Sequence, residues 1–139
     1  PMIYGKGSKG NYPKLAKIAR ILPFFPDIDN QRSMLYIENL CEFIRLIIEN
    51  KEKGLFFPQN SEYVKTSEMV AIIAETHGKK IRLTKIFNGI LSLMSKKIGL
   101  VDKVFGNLVY DKSLSIYNQN YEIKNLRESI IITEGDKIN

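Results

Sequence analysis

The stretch Asp29-Asn30-Gln31-Arg32-Ser33-Met34-Leu35-Tyr36-Ile37-Glu38-Asn39-Leu40 decides the fold of this chain, because it leads from a polar loop into the clearest helix. Apolar side chains recur there at positions i, i+3, i+4, i+7 and i+11, which are Ile37, Leu40, Cys41, Ile44 and Ile48. This period is typical of a helix that buries one face. The sequence therefore predicts that the helix packs through these residues, with Cys41 as a small buried hydrophobe.

Short strands and helices alternate on both sides of this helix. Strands are predicted at 2–4, 54–58, 81–83 and 107–110. Further helices are predicted at 12–22, 66–78, 85–97 and 125–132, with one helical turn at 111–113. Thr66 or Ser67 is expected to cap the helix that Gly78 ends, and His77 is expected to have a structural role in its last turn. The predicted class is mixed α/β, or α+β for an isolated fragment.

Composition favours one domain over 1–139, since 44% of the 139 residues are hydrophobic. The net charge of +6 and the pI of about 9.4 would suit a polyanionic partner. Positive residues are densest in 6–20 and 79–85, but most are expected to be solvated surface charges. Cys41 is the only cysteine, which excludes an intramolecular disulfide and a metal site built from cysteines.

No apolar run reaches the roughly 18 to 20 residues that a membrane span needs. We therefore expect a cytoplasmic protein without a membrane partner. The chain opens with Pro-Met-Ile-Tyr-Gly, as if entered within a strand, so we also expect it to be a fragment of a longer protein.

The Gly-rich segment 5–10 is not a P-loop, because Gly10 is followed by Asn11 and not by the lysine of that motif. Its G-x-G-x-x-G spacing lacks an acidic residue about 20 positions on, so no dinucleotide site is predicted there. A flexible turn and a loop that helps to bind phosphates both remain open. No Tyr-x-x-x-Lys pair, Ser/His/Asp set or metal-ligand spacing occurs, and no catalytic residue is predicted in this chain.

Three segments resemble bacterial nucleotide-sugar epimerases. Residues 1–7 with Gly10-Asn11-Tyr12 look like the R-P-x-x-V-Y-G-P-G…G-N-F element of that family, and 29–40 resembles its N-x-R-S-x-V-x-V-D-N-L signature. Residues 105–113 are similar to its G-S-L-x-V-D-x-S element. The chain thus resembles the C-terminal, substrate-binding lobe of an extended short-chain dehydrogenase/reductase, similar to UDP-glucose 4-epimerase.

This resemblance implies a lobe that binds a UDP-sugar, while NAD and the catalytic Ser/Thr, Tyr and Lys belong to an N-terminal Rossmann half outside this chain. The parent would be an NAD-dependent UDP-sugar 4-epimerase of polysaccharide synthesis, and this chain alone would be inactive. The residues that match the family's substrate-binding positions are Arg32, Asn11, Tyr12, Lys103 and Met34.

Some positions depart from the family pattern. Met34 stands where galactose epimerases have an aromatic residue, Tyr121 replaces a tryptophan, and Lys6 replaces the proline of Y-G-P-G. These departures leave the identity of the sugar open between UDP-glucose or UDP-galactose and their N-acetyl forms.

Two other interpretations remain. Arg32 could be a surface arginine paired with Asp27 or Asp29, and the whole chain could be a small basic nucleic-acid-binding or adaptor module, although nucleic acid is the less favoured partner. If the chain is a fragment, the flank of strand 2–4 and part of helix 37–48 should be exposed, and the chain should self-associate, for example as a homodimer.

Overall fold

The computed structural model describes residues 1–86 and 105–135. In chain order its elements are β1 (Met2–Tyr4), α1 (Asn11–Ile21), β2 (Phe24–Pro26), β3 (Met34–Tyr36), α2 (Ile37–Glu49), α3 (Thr66–Thr76), β4 (Arg82–Thr84), a 3-10 turn (Lys112–Ser115) and α4 (Leu126–Glu134). Short parallel strands and helices alternate, so the predicted mixed α/β class is confirmed. Across these residues no helix combines the length and the apolarity needed to cross a bilayer.

The strands form two separate pairs. β1 lies parallel to β3, with Met2 opposite Met34 and Tyr4 opposite Tyr36. β2 lies parallel to β4, with Phe24 opposite Arg82. Helix α1 therefore links a strand of one sheet to a strand of the other, and β1-α1-β2 is not a βαβ unit within one sheet.

Strand β3 was not predicted, because its apolar residues run without a break into the helical pattern of α2. All of Met34–Tyr36 is buried. Met34 and Tyr36 belong to one core cluster and Leu35 to another, as alternate side chains of a strand point to opposite faces. A strand that is buried on both faces lacks the alternation of polar and apolar residues from which a strand is usually predicted.

The main core lies between β1, β3 and the helices α1, α3 and α4, which pack on one another. Its largest fully buried side chains include Tyr4, Tyr36, Met34, Met69, Ile73 and Ile130. These helices were predicted at nearly the bounds observed, because each has an apolar stripe and a recognisable end. Gly78, for example, follows α3 with a φ of 68°, as predicted for the end of that helix.

Helix α2 was predicted correctly, but its buried face was not. Ile44 and Ile48 are 47% and 69% exposed, and Cys41 is exposed as well. The helix buries Asn39, Phe43 and Leu46 instead. Phe43 decides this orientation, because its ring makes edge contacts with three aromatic rings, those of Phe56, Tyr117 and Tyr121.

Two predicted strands are not strands in the structure. Residues 54–58 are irregular, and of 107–110 only Leu108 pairs, through a single bridge to Arg32. The strand predicted at 81–83 is β4, shifted by one residue. Most of the helix predicted at 85–97 lies outside the described residues.

The start of α3 is supported from a distant loop and not by the caps predicted. Thr66 is its first helical residue, and neither its side chain nor that of Ser67 caps the helix. The side chain of Asn30 accepts a hydrogen bond from the Thr66 amide at 2.9 Å and donates one to its hydroxyl at 2.9 Å. This pair of bonds fixes the loop that carries Arg32 against the end of α3.

Candidate functional site

The backbone around Arg32 is paired on both sides. Its amide and carbonyl exchange two hydrogen bonds of 3.0 Å with Val64. On the other side Leu108 donates to Gln31 at 3.0 Å and accepts from Ser33 at 2.8 Å. Arg32 therefore stands at a fixed backbone position directly before β3.

The Arg32 guanidinium is nearly buried, and its partner within residues 1–86 and 105–135 is neutral. The residue is 8% exposed, and Nη1 donates to the carbonyl oxygen of Gly106 at 2.9 Å. No other acceptor within 1–86 and 105–135 takes a hydrogen bond from it, and burial lowers its pKa. A guanidinium remains charged at any physiological pH, so this is a positive charge held near the surface without a negative partner among those residues.

The proposed pairing of Arg32 with a nearby aspartate is wrong. Asp29 forms an ion pair with Lys65 at 2.6 Å, and in the described part of the chain no carboxylate lies within ion-pair distance of Arg32.

Two asparagines brace the segment that holds the guanidinium. Asn107 accepts a bond from the amide of Gln31 at 2.8 Å, and Asn30 donates to the Gly106 carbonyl at 3.4 Å. The Gly106 oxygen thus contacts both Asn30 and Arg32. Sequence analysis missed Asn30, although it belongs to the same 29–40 signature.

The resemblance placed Met34 at the substrate site, and the structure places it in the core. It is 1% exposed, and its carbonyl accepts a hydrogen bond from the amide of Asn60 at 2.7 Å. Lys103 lies outside the described residues.

Asn11 and Tyr12 begin helix α1, after Gly10 with a φ of 97°. Asn11 is partly exposed, whereas Tyr12 is 3% exposed and stacks on Tyr4 with ring centroids 5.5 Å apart. These contacts share no residue with those of Arg32. The structure therefore shows no direct contact between the two predicted parts of the substrate site.

Tyr12 borders a cleft of about 250 Å³ under the Gly-rich loop, together with Ser8, Arg20 and Glu134. Its hydroxyl makes no hydrogen bond of standard geometry within 1–86 or 105–135, and Glu134 is the charged group that acts on it most. The pKa of Tyr12 is raised mainly by burial and secondly by the negative charge of Glu134. Glu134 also forms a hydrogen bond with His77, in which Oε2 lies 2.7 Å from Nε2. This contact supports the structural role predicted for that histidine.

The Gly-rich loop does not fit the pyrophosphate of NAD. The G-x-G-x-x-G fingerprint works within a βαβ unit, and here β1 and β2 belong to different sheets. Gly5 has a packing role, since a Cβ there would lie 2.3 Å from Cγ2 of Ile37. No NAD-binding residue is assigned to this loop.

A buried polar network joins two of the segments that carry the sequence motifs. Asn60 donates to the Tyr4 hydroxyl at 3.3 Å and accepts from Asn39 at 3.2 Å. Asn39 in turn exchanges two hydrogen bonds with the backbone of Lys124. Tyr4 and Asn39, both motif residues, therefore hold the fold together.

Comparison with protein-family models, curated proteins and solved structures found no match to this chain. Within residues 1–86 and 105–135, no group of His, Cys, Asp and Glu could hold a metal ion.

Proposed function

We propose that this chain binds the diphosphate of a UDP-sugar through Arg32 and forms the substrate-binding part of an NAD-dependent nucleotide-sugar epimerase. The observation that carries the proposal is the Arg32 guanidinium, which is 8% exposed and has no carboxylate partner among the described residues. Burying a charge is costly unless an opposite charge or several hydrogen bonds compensate. A phosphate bound to the guanidinium would supply both.

Arginine suits this task better than lysine. Its planar guanidinium offers five N–H donors, of which the Gly106 carbonyl takes one, and the fork can bind two phosphate oxygens at once. Because the backbone is paired on both sides of Arg32, the position from which its side chain extends is fixed. The same position carries the arginine of the epimerase signature that 29–40 resembles.

NAD and the catalytic groups are not assigned to this chain. The resemblance implies that they belong to a Rossmann half, and the chain offers no Tyr-x-x-x-Lys pair of its own. We expect the chain to bind the nucleotide without turning over the sugar.

Titration of the chain with UDP, followed by calorimetry or ligand-observed NMR, tests the proposal. Arg32→Ala should weaken UDP binding about ten- to a hundred-fold, the range of a lost charge-assisted bond. Arg32→Lys should recover part of that loss, since it restores the charge but not the fork. Uridine, which lacks phosphate, should be insensitive to both variants.

Arg45→Ala is the matched control. Arg45 is an exposed arginine whose guanidinium pairs with Glu42 at 2.7 Å and with Glu49, so its removal changes the net charge equally without touching the site. Equal UDP affinity of the Arg32 and Arg45 variants, or no UDP binding at all by the native chain, would contradict the proposal.

A further inference from the structure

Three large apolar side chains are exposed together where α1 ends and β2 begins. Ile21, Leu22 and Phe24 are 59%, 45% and 49% exposed. Only Pro23 separates Leu22 from Phe24, so the three exposed residues lie within four positions of the chain. Exposed apolar residues that are scattered singly are ordinary, whereas large contiguous apolar patches mark interaction surfaces.

Positive residues are neighbours of this apolar group in the fold. Lys17 lies one helical turn before Ile21 on α1, and Arg82 lies opposite Phe24 in the β2–β4 pair. Lys79 donates through Nζ to the backbone carbonyl of Arg20, which holds the segment after α3 against the end of α1. We call Lys17, Ile21, Leu22, Phe24, Lys79 and Arg82 the basic-apolar patch.

The charges of this patch are not neutralised within the described chain. None of its members is acidic, and neither Lys17, Lys79 nor Arg82 forms an ion pair with a residue of 1–86 or 105–135. By contrast, exposed Arg45, Lys65 and Arg127 each pair with a carboxylate. The patch therefore combines uncompensated positive charge with exposed hydrocarbon.

We propose that the basic-apolar patch docks this chain peripherally on an anionic lipid bilayer. A bilayer surface offers both of the partners that the patch lacks. Its anionic headgroups attract Lys and Arg within a Debye length, and the boundary between headgroups and acyl chains accepts side chains such as Ile, Leu and Phe. The expectation of no membrane partner rested on span length alone, which says nothing of surface docking.

A nucleic acid would use only half of this surface. Lys17, Lys79 and Arg82 could contact a phosphate backbone, but Ile21 and Leu22 would face the same backbone without a favourable contact. Single-stranded nucleic acid is bound by stacking on aromatic rings, and the patch offers one ring, that of Phe24. The mixture of aliphatic and positive side chains favours the bilayer.

The patch shares no residue with the surroundings of Arg32, so membrane docking and UDP binding can be tested separately. The experiment is cosedimentation of the chain with vesicles of phosphatidylcholine, with and without about 30 mol% phosphatidylglycerol. We expect binding to the anionic vesicles, weaker at high salt, and little binding to the neutral ones. Lys17→Glu should lower the partition coefficient at least about fivefold, and Ile21→Ser should lower it by a similar factor.

Two variants outside the patch serve as matched controls. Lys53→Glu makes the same charge change as Lys17→Glu at another exposed lysine, and Leu55→Ser removes an aliphatic side chain that is 81% exposed. Both should bind the anionic vesicles like the native chain.

Three results would overturn the proposal: equal binding to neutral and anionic vesicles, equal effects of the patch and control variants, or an unaltered partition coefficient in Ile21→Ser. Fluorescence anisotropy with a labelled single-stranded oligonucleotide covers the alternative partner. Binding of the oligonucleotide but not of the vesicles would assign the patch to nucleic acid instead. UDP binding by Lys17→Glu and Ile21→Ser should remain native in every case, which separates this test from that of Arg32.

Discussion

The hydroxyl groups of Tyr4 and Ser129, 125 positions apart in the chain, share a buried hydrogen bond of 2.6 Å. The Ser129 hydroxyl also lies within hydrogen-bond distance of the Leu126 carbonyl, at 2.8 Å. Asn60 donates to the Tyr4 oxygen from the other side. One chain of hydrogen bonds thus connects the first strand, the segment before α3 and the last helix.

Removing the Tyr4 hydroxyl should destabilise the fold. Tyr4→Phe keeps the ring stacked on Tyr12 but leaves the Asn60 donor without its acceptor, at a cost of about 1–3 kcal/mol. Urea unfolding measures the loss. Tyr117→Phe removes an exposed hydroxyl that accepts one bond from Asn50, and its effect should stay well below that of Tyr4→Phe. Similar unfolding midpoints for the two variants would contradict the role of the Tyr4 network.

Asn30→Ala should weaken both α3 and the Arg32 site. The variant removes the side-chain acceptor of the Thr66 amide, and the loss of a helix-start partner costs about 0.5–2 kcal/mol. Hydrogen exchange of the first-turn amides of α3 should accelerate, and UDP affinity should fall with the mobility of the Arg32 loop. The exposed Asn118 offers a control, for which Asn118→Ala should change neither quantity.

Stability should fall above about pH 10 because several phenols are buried. The pKa of Tyr36 is raised to about 12, mainly by burial and secondly by the negative charge of Glu38. The pKa values of Tyr4, Tyr12 and Tyr121 are also raised, in each case mainly by burial. A raised pKa favours the protonated, folded state, so the stabilisation is complete below the unfolded value near 10 and is lost as pH rises toward 12.

For Tyr36 this loss should amount to about 1.4 kcal/mol per pH unit within that window. Urea unfolding at pH 9, 10 and 11, with absorbance at 295 nm to follow ionisation, tests this slope. Tyr36→Phe should show a shallower decline than the native chain. A free energy of unfolding that is constant to pH 11 would contradict the inferred burial of these hydroxyls.

The exposed face of α2 should promote self-association. Ile37, Cys41, Ile44 and Ile48 follow one another at spacings of 4, 3 and 4, which read the same in both directions. An antiparallel two-fold pair of α2 helices would therefore set Ile37 against Ile48 of the second copy. Sedimentation equilibrium should show a dimer that Ile44→Ser weakens, whereas Ile116→Ser, at an isolated side chain 80% exposed, should not. A native chain that remains monomeric at high concentration would exclude this pairing.

Sequence predicted the helices better than the contacts between them. The helices α1, α3 and α4 each bury part of their apolar surface against the core, and α3 buries most of it. Helix α2 is apolar on two faces, and its period could not show which face meets Phe56, Tyr117 and Tyr121. Residues 54–58 look like a strand because Leu55, Phe56 and Phe57 are consecutive, yet Phe56 packs on Phe43 without strand pairing.

The candidate site was predicted in part for a similar reason. Arg32 stands out in the sequence as an arginine in a loop before a helix. Its neutral partner Gly106 and the supporting residue Asn107 lie more than 70 positions further along the chain, and Asn30, close to Arg32 in the sequence, contacts Gly106 over the same range. No local pattern encodes contacts of that range.

The backbone at Arg32 is paired on one side with Val64 and on the other with the segment around Leu108. A loop that becomes ordered only on binding would lose about 1–2 kcal/mol of conformational entropy for each residue it fixes. At Arg32 folding has already fixed the backbone, so an anion that bound there as proposed would meet a preorganised position. Affinity at this position should therefore depend on the chemistry of the guanidinium and very little on loop closure.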